Sequence, residues 1–224
     1  MSHRSLIVNA LAKLICGLGI IALLLFLPAG TWHYWQAWFF IAILFVPMMC
    51  MGIWLLYKQP DLLAKRLKNK ETEQEQKSVV ALSGLMFIVG FILCGVDFRF
   101  TWSSCPVWLS IGASIVFVIG YAMYAMVMRE NAYLSRIIEV QEGQQLVDTG
   151  LYAIVRHPMY SATLLMYIAM PLVLGSLWAL LVFAVYPILI IKRILNEEKV
   201  LAEGLTGYTD YQKRVHYRLI PWIW

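Results

Sequence analysis

Long apolar segments run through this sequence at short intervals, and they constrain its fold more than any other feature. Four of them cover roughly residues 6–28, 33–57, 79–96 and 107–128, and a longer block covers 158–191. A helix needs about 20 apolar residues to cross the hydrocarbon core of a bilayer. Hydrophobic residues make up 61% of the chain and charged residues 14%, against about 45–50% and 25% in soluble domains. The sequence therefore predicts an all-α polytopic membrane protein.

The last apolar block is too long for one span. As a single helix, residues 158–191 would measure about 50 Å, whereas the bilayer core is about 30 Å thick. The stretch "MPLVLGS" interrupts the block with Pro171 and Gly175, residue types that often end a helix. We therefore expect a helical hairpin with both ends on one side of the membrane, its arms tilted or not fully crossing. Four transmembrane helices before it and a cytoplasmic C-terminal helix complete the predicted fold.

Basic residues set the predicted orientation. The linker 58–78 holds six of the 18 Lys and Arg residues, and loops rich in these residues lie in the cytoplasm. Both termini are then cytoplasmic, and Arg99 is the only basic residue on the outer side, where we expect it to pair with Asp97. Leucines give the linker an amphipathic face, which predicts a surface helix or a lid over a site. Either a bacterial inner membrane or an endoplasmic reticulum membrane fits this arrangement.

A polar motif stands directly before the last apolar block. The stretch "GLYAIVRHPMY" places Arg156 and His157 before Pro158. Proline suits the first turn of a helix, and the unpaired N–H groups of a helix N-terminus favour an anion. Arg156 adds a permanent fork of donors for a carboxylate or a phosphate. These residues either anchor the helix end among lipid headgroups or form an anion-recognition site.

The predicted hairpin brings a second polar motif to the same level. The stretch "NEEKVL" follows the second arm and places Glu197 beside Glu198, and charges at such depth are usually paired or functional. A matching ligand has an anionic group, a cationic or hydroxyl-rich part and a flat ring, as S-adenosylmethionine does. A nicotinamide dinucleotide fits less well, because the chain has neither a G-x-G-x-x-G motif nor a P-loop.

The two motifs resemble those of the isoprenylcysteine carboxyl methyltransferase family, which is related to the phospholipid N-methyltransferases. The family's R-H-P-x-Y-x-G motif reads "RHPMYSA" here, and its E-E-x-x-L motif reads "EEKVL". The stretches "YTDY" and "KRV" match as well, so the resemblance covers about residues 130–224. Ala162 replaces the family's glycine, a departure that affects either helix packing or the approach of the cofactor.

The resemblance implies a membrane-embedded methyltransferase without a Rossmann domain, acting on a lipophilic acceptor such as a prenylcysteine-like carboxylate. It implies that Arg214 lies near the acceptor's reacting carboxylate, so Arg214 and Arg156 are the predicted catalytic residues. Residues 1–128 would form a four-helix transmembrane region and residues 129–224 a cofactor-binding region. The implied ligands of S-adenosylmethionine are Tyr152, Arg156, His157, Pro158, Tyr160, Glu197 and Glu198.

Other functions stay open at this point. A phospholipid N-methyltransferase would share the cofactor and differ in its acceptor. An NADPH-dependent sterol-type reductase would need a dinucleotide site and more basic residues in the C-terminal loops. A transporter would carry charged residues at mid-depth in several spans, which this chain lacks. The four cysteines form no CxxC pair, and we expect neither a metal nor a nucleic acid partner.

Overall fold

The structure, a computed structural model, describes residues 3–67, 74–134 and 140–224, and the regular secondary structure in these ranges is helical. No strand occurs in these ranges, so the predicted all-α fold is confirmed. The elements are α1 (His3–Ala29), α2 (Trp35–Lys58), α3 (Pro60–Leu67), α4 (Gln74–Phe100), α5 (Val107–Glu130), a 3₁₀ turn (Gly150–Ala153), α6 (Pro158–Val173), α7 (Trp178–Phe183), α8 (Tyr186–Gly204) and α9 (Tyr208–Arg214).

Five helical segments in the described ranges are long and apolar enough to cross a membrane. They are α1, α2, α4, α5 and the stretch Trp178–Gly204, which comprises α7 and α8. Large apolar side chains such as Ile15, Leu27 and Trp108 are exposed on the outer faces of these helices, where lipid would cover them. The chain is therefore a multi-pass integral membrane protein, and the predicted orientation of its termini stays a prediction.

The predicted C-terminal hairpin is present. Its first arm, α6, ends at Val173, and the turn passes through Gly175 with φ +77°, a conformation that favours glycine. The second arm is α7 followed by α8, and it continues as a helix to Gly204, well past the predicted end of the apolar block. Tyr34 fixes the turn, because its hydroxyl donates to the carbonyl oxygen of Leu174 at 2.6 Å.

The first arm packs closely against α5 at two small residues. A Cβ atom at Gly120 would lie 2.8 Å from Cγ of Met166 and 3.0 Å from the carbonyl oxygen of Ala162. Small residues let membrane helices approach each other in this way. Ala162, the departure from the family motif, is fully buried, and its backbone lies at this helix contact.

Polar groups near the hairpin turn do not pair as expected from the sequence. Asp97 is buried and accepts hydrogen bonds from the backbone N–H and hydroxyl of Ser103, at 2.7 and 2.6 Å, and from the Ser176 hydroxyl. The Arg99 guanidinium instead lies over the Phe100 ring, 5.6 Å from its centroid. The prediction of an Asp97–Arg99 ion pair was wrong, because nearby hydroxyl and amide donors occupy the carboxylate.

The amphipathic helix predicted in the linker is α3. Leu62 and Leu63 are buried in one apolar cluster with Met128 of α5. The Lys65 ammonium donates to the side-chain oxygen of Gln141 at 2.6 Å. α3 therefore joins α5 to the segment after it, while linker residues 68–73 lie outside the described residues.

Candidate active site

The segment that enters the first hairpin arm is held by the C-terminal tail. Pro158 takes the first position of α6, as predicted. The backbone N–H groups of Arg156 and His157 donate to the carbonyl oxygens of Tyr217 and Arg218, both at 2.9 Å. These two bonds hold the R-H-P motif against the tail at the base of the hairpin.

Glu198 is the centre of a buried polar cluster at this point. One carboxylate oxygen accepts from Nε of Arg156 at 2.6 Å and lies 3.3 Å from Nε2 of His157. The other accepts from Nε of Arg218 at 2.8 Å. Nη1 of Arg156 also donates to the carbonyl oxygens of Val215 and His216, at 2.6 and 3.0 Å. Both oxygens of Glu198 are thus occupied inside the protein, and a buried carboxylate needs such partners.

Glu197 has a different environment from its neighbour. Its Oε2 accepts from the Tyr160 hydroxyl at 2.6 Å, and that hydroxyl also accepts from Nε of Arg193 at 2.9 Å. Its Oε1 lies 4.0 Å from Nδ1 of His157, which is longer than a hydrogen bond. Glu197 lines a cavity, and this oxygen can accept a further donor there.

The cavity lies beside the hairpin base and has an empty volume of about 830 Å³, part of it open to the surface. Its wall combines five tyrosines with a few polar side chains, a composition that suits a flat ring and a polar tail. The lining includes Asn131, Tyr133, Tyr152, Arg156, His157, Pro158, Met159, Tyr160, Arg193, Glu197, Leu201, Tyr208 and Tyr211.

Two of the lining tyrosines have internal partners. The side-chain amide of Asn131 donates to the Tyr152 hydroxyl at 2.9 Å. The Tyr211 hydroxyl donates to the carbonyl oxygen of Tyr152 at 2.7 Å. Burial raises the pKa of both phenols well above the usual range, so both stay protonated and neutral.

Tyr208 differs from them because its buried hydroxyl has no hydrogen-bond partner within the described part of the chain. The residue is only 3% exposed and lines the cavity. Burial, followed by the nearby charges of Glu198 and Glu197, raises the pKa of its phenol, so the hydroxyl keeps its proton. Buried polar groups are usually paired. A lone hydroxyl at a cavity wall is free to bond to a water or a ligand that enters the cavity.

The structure brings most of the predicted site residues together. Six of them line the cavity: Tyr152, Arg156, His157, Pro158, Tyr160 and Glu197. Glu198 lies directly behind them, bonded to Arg156 and His157. Arg214 is not among the lining residues; its side chain is 63% exposed on α9 and pairs with Asp148 at 2.7 Å.

Arg193 lines the cavity without having been predicted. Arg193 stands four residues before Glu197, and residues at this spacing share a helix face, so the sequence did carry a signal for it. Asn131 follows the end of α5. Its spacing from Ser135 predicts either a packing hydrogen bond or a place in the lining of the acceptor site, and in the structure it lines the cavity, while Ser135 lies outside the described residues. No group of three or more His, Cys, Asp or Glu side chains that could hold a metal occurs in the described ranges.

Comparison with known proteins adds to this geometry. Residues 112–203 match the model of the Isoprenylcysteine carboxyl methyltransferase (ICMT) family. This part of the chain is similar to that family. The match confirms the resemblance given by the two motifs, and it includes Arg156, His157, Tyr160, Glu197 and Glu198. It covers less than half of the chain and ends before Tyr208 and Arg214.

A sterol reductase is also similar to the chain. Delta(14)-sterol reductase TM7SF2 of Mus musculus is 32% identical over 90 residues, which are 39% of this chain and 22% of the relative. The chain thus spans about a fifth of the length of this relative. A shared segment of this size bears on the local fold more than on the reaction.

Proposed function

We propose that this chain is a membrane-embedded S-adenosylmethionine-dependent methyltransferase that methylates the carboxylate of a lipophilic, prenylcysteine-like acceptor. The observation that carries the proposal is the cavity beside the ICMT-family motifs, where Glu197 and the unpartnered Tyr208 hydroxyl meet. In this view residues 1–128 embed the protein, and residues 129–224 bind the cofactor. The bilayer supplies the acceptor from the side.

The residues of the cavity fit the chemistry of this cofactor. Glu197 offers a carboxylate oxygen for an ammonium or a ribose hydroxyl. The neutral Tyr208 hydroxyl can donate to, or accept from, a further polar atom of the ligand. Tyrosine rings in the wall can stack on adenine and exclude water. When bound, S-adenosylmethionine supplies a methyl group on a positively charged sulfur, a leaving group that becomes neutral.

In this methyl transfer the main task of the protein is to hold the acceptor oxygen in line with the methyl carbon and the sulfur. A carboxylate oxygen forms the new bond to the methyl carbon, and the carbon–sulfur bond breaks with its electrons left on sulfur. No proton has to move, so no general base is needed. Tyr152, His157, Pro158 and Tyr160 would shape the wall, and the Glu198 cluster would fix the motif to the tail. Arg156 belongs to the cavity wall and to the Glu198 cluster, since it lines the cavity and donates to Glu198.

Arg214 stays a proposed acceptor residue on the resemblance alone. Its exposed side chain and its pair with Asp148 keep it outside the cavity lining. A role at the reacting carboxylate would therefore need this surface pair to open when the acceptor binds.

The sterol reductase relative supports a second candidate, an NADPH-dependent reductase. The three phosphates of NADPH would need several cations, yet the lining arginine in the R-H-P motif is already bonded to Glu198. Glu197 in the same wall would repel a phosphate. The methyltransferase is therefore the better-supported function.

Calorimetric binding to the purified chain in detergent tests the proposal, with S-adenosylhomocysteine and NADPH measured separately. We expect micromolar affinity for S-adenosylhomocysteine and no heat with NADPH. Binding of NADPH alone would move the chain to the reductases. Binding of neither ligand would refute a nucleotide-dependent function for the cavity.

A further inference from the structure

A guanidinium from α3 reaches the wall beside the cavity. Nη2 of Arg66 donates to the Tyr124 hydroxyl at 2.6 Å and lies 3.1 Å from the sulfur of Met128 and 3.2 Å from that of Met159. Met159 follows the R-H-P motif directly and lines the cavity. One methionine side chain therefore links Arg66 to the candidate active site, although α3 is about 90 residues away along the sequence.

Within the described residues, Arg66 contacts neutral groups and no countercharge. Its hydrogen-bond partners in the described ranges are a phenol and two thioethers, all neutral. Met128 belongs to the buried cluster that includes Leu62 and Leu63. A half-buried cation in such surroundings gains from an anionic partner, and an arginine fork matches a carboxylate in shape. Thioether sulfur is only a weak acceptor.

Lys65, next to Arg66 on α3, adds a second positive charge. Lys65 donates to the neutral side chain of Gln141 and stands over the Tyr133 ring, 5.8 Å from its centroid. Tyr133 lines the cavity as well. The end of α3 thus presents two adjacent cations toward the cavity side, and both contact neutral groups in the described ranges.

We propose that Arg66 binds the carboxylate of the methyl acceptor and makes the site selective for an anionic, lipophilic molecule over an amine. The inference rests on the proposed methyltransferase function and adds the residue that selects its acceptor. A protonated or neutral amine would gain nothing from the guanidinium. The acceptor's apolar part would lie against partly buried members of the same cluster, such as Leu67 and Tyr124, and one carboxylate oxygen would stay free to attack the methyl carbon.

Binding of matched probes to the full chain in detergent, with S-adenosylhomocysteine saturating, tests this proposal. The probes are an N-acylated S-farnesylcysteine with a free carboxylate and its primary carboxamide. The variants are Arg66→Gln, Arg66→Met and Arg214→Gln. Arg129→Gln is the matched control, because Arg129 is an exposed boundary arginine whose guanidinium stands over Trp54.

We expect the wild type to prefer the carboxylate probe by about tenfold or more, the usual scale of a hydrogen bond to a charged group. Arg66→Gln should remove this preference, with unchanged affinity for the carboxamide and for S-adenosylhomocysteine. Arg129→Gln should behave as the wild type. If the Arg66→Gln variant does not fold, Arg66→Met replaces it, because a methionine side chain packs well beside the neighbouring sulfurs. It should lose the preference for the carboxylate probe in the same way.

Three results would overturn the proposal in different ways. Preference for the carboxylate retained in both Arg66 variants, or absent from the wild type, would remove Arg66 as the acceptor residue and leave the methyltransferase function standing. Loss of the preference in Arg214→Gln alone would assign the acceptor to Arg214. No binding of S-adenosylhomocysteine to the wild type would refute the proposed function itself, and this inference with it.

Discussion

A buried carboxylate lies at each end of the C-terminal hairpin, and the surroundings of the two carboxylates differ. At the turn, both oxygens of Asp97 accept hydrogen bonds from Ser103 or Ser176. At the base, both oxygens of Glu198 are equally occupied, by Arg156 and Arg218. The base adjoins a cavity whose wall includes the unpartnered hydroxyl of Tyr208. Burial and charge alone therefore do not identify the functional end.

The chemistry of the donors also differs between the two clusters. Hydroxyl and amide groups near the turn join α4 to the hairpin without any cation. At the base, two arginines surround one carboxylate, and the backbone of the tail adds acceptors. The first arrangement stabilises a loop. The second holds a chain segment beside a cavity, so its loss should affect ligand binding as well as stability.

Removing the carboxylate of Glu198 should have the largest effect. Glu198→Ala leaves the buried guanidinium of Arg156 without its anionic partner, and breaking such a pair costs about 3–5 kcal/mol. We expect a marked fall in the unfolding temperature in detergent and loss of S-adenosylhomocysteine binding. An unfolding temperature equal to that of the wild type would contradict the central role of this carboxylate.

Asp97→Asn tests whether the buried carboxylate at the hairpin turn affects stability without affecting ligand binding. The variant loses hydrogen bonds to a charged acceptor, and we expect it to cost about 1.5–3 kcal/mol of stability. S-Adenosylhomocysteine should still bind with wild-type affinity once the protein is folded, because Asp97 lies at the hairpin turn, away from the cavity. Weaker binding in the folded variant would show that the two ends are coupled.

Glu197→Gln should weaken ligand binding without lowering the stability of the protein. Its side chain faces the cavity rather than the Glu198 cluster, so we expect affinity for S-adenosylhomocysteine to fall about tenfold while the unfolding temperature changes little. Glu203→Gln, an exposed position on the same helix, is the matched control for both measurements. Equal affinities in the two variants would exclude Glu197 as a ligand.

Tyr208→Phe should have the smallest effect of the four variants, and it should change ligand affinity without lowering stability. Removing a hydroxyl without a partner costs no hydrogen bond in the free protein, so stability should stay the same or rise. Affinity for S-adenosylhomocysteine should fall several-fold, because the ligand loses a polar contact. Tyr211→Phe is the contrast, since its hydroxyl bonds to Tyr152 and its removal should lower the unfolding temperature.

The sequence by itself determined the helical spans, the hairpin and the meeting of its two polar motifs. Apolar runs of sufficient length have few alternatives to spanning helices. An overlong run with a glycine at its centre, Gly175, has to fold back, which brings Glu197 and Glu198 to the level of Arg156. These conclusions depend on chain length and local composition, which a sequence states directly.

Only the tertiary structure decided which residues face the cavity. Adjacent residues on a helix point about 100° apart, so Glu197 and Glu198 have different environments, and their order along the chain does not say which faces the cavity. Arg66 reaches Met159 through the packing of α3 against α5, a contact that no local pattern encodes. The structure also leaves Arg214 on the surface. Side-chain direction and long-range packing therefore settle what composition and spacing leave open.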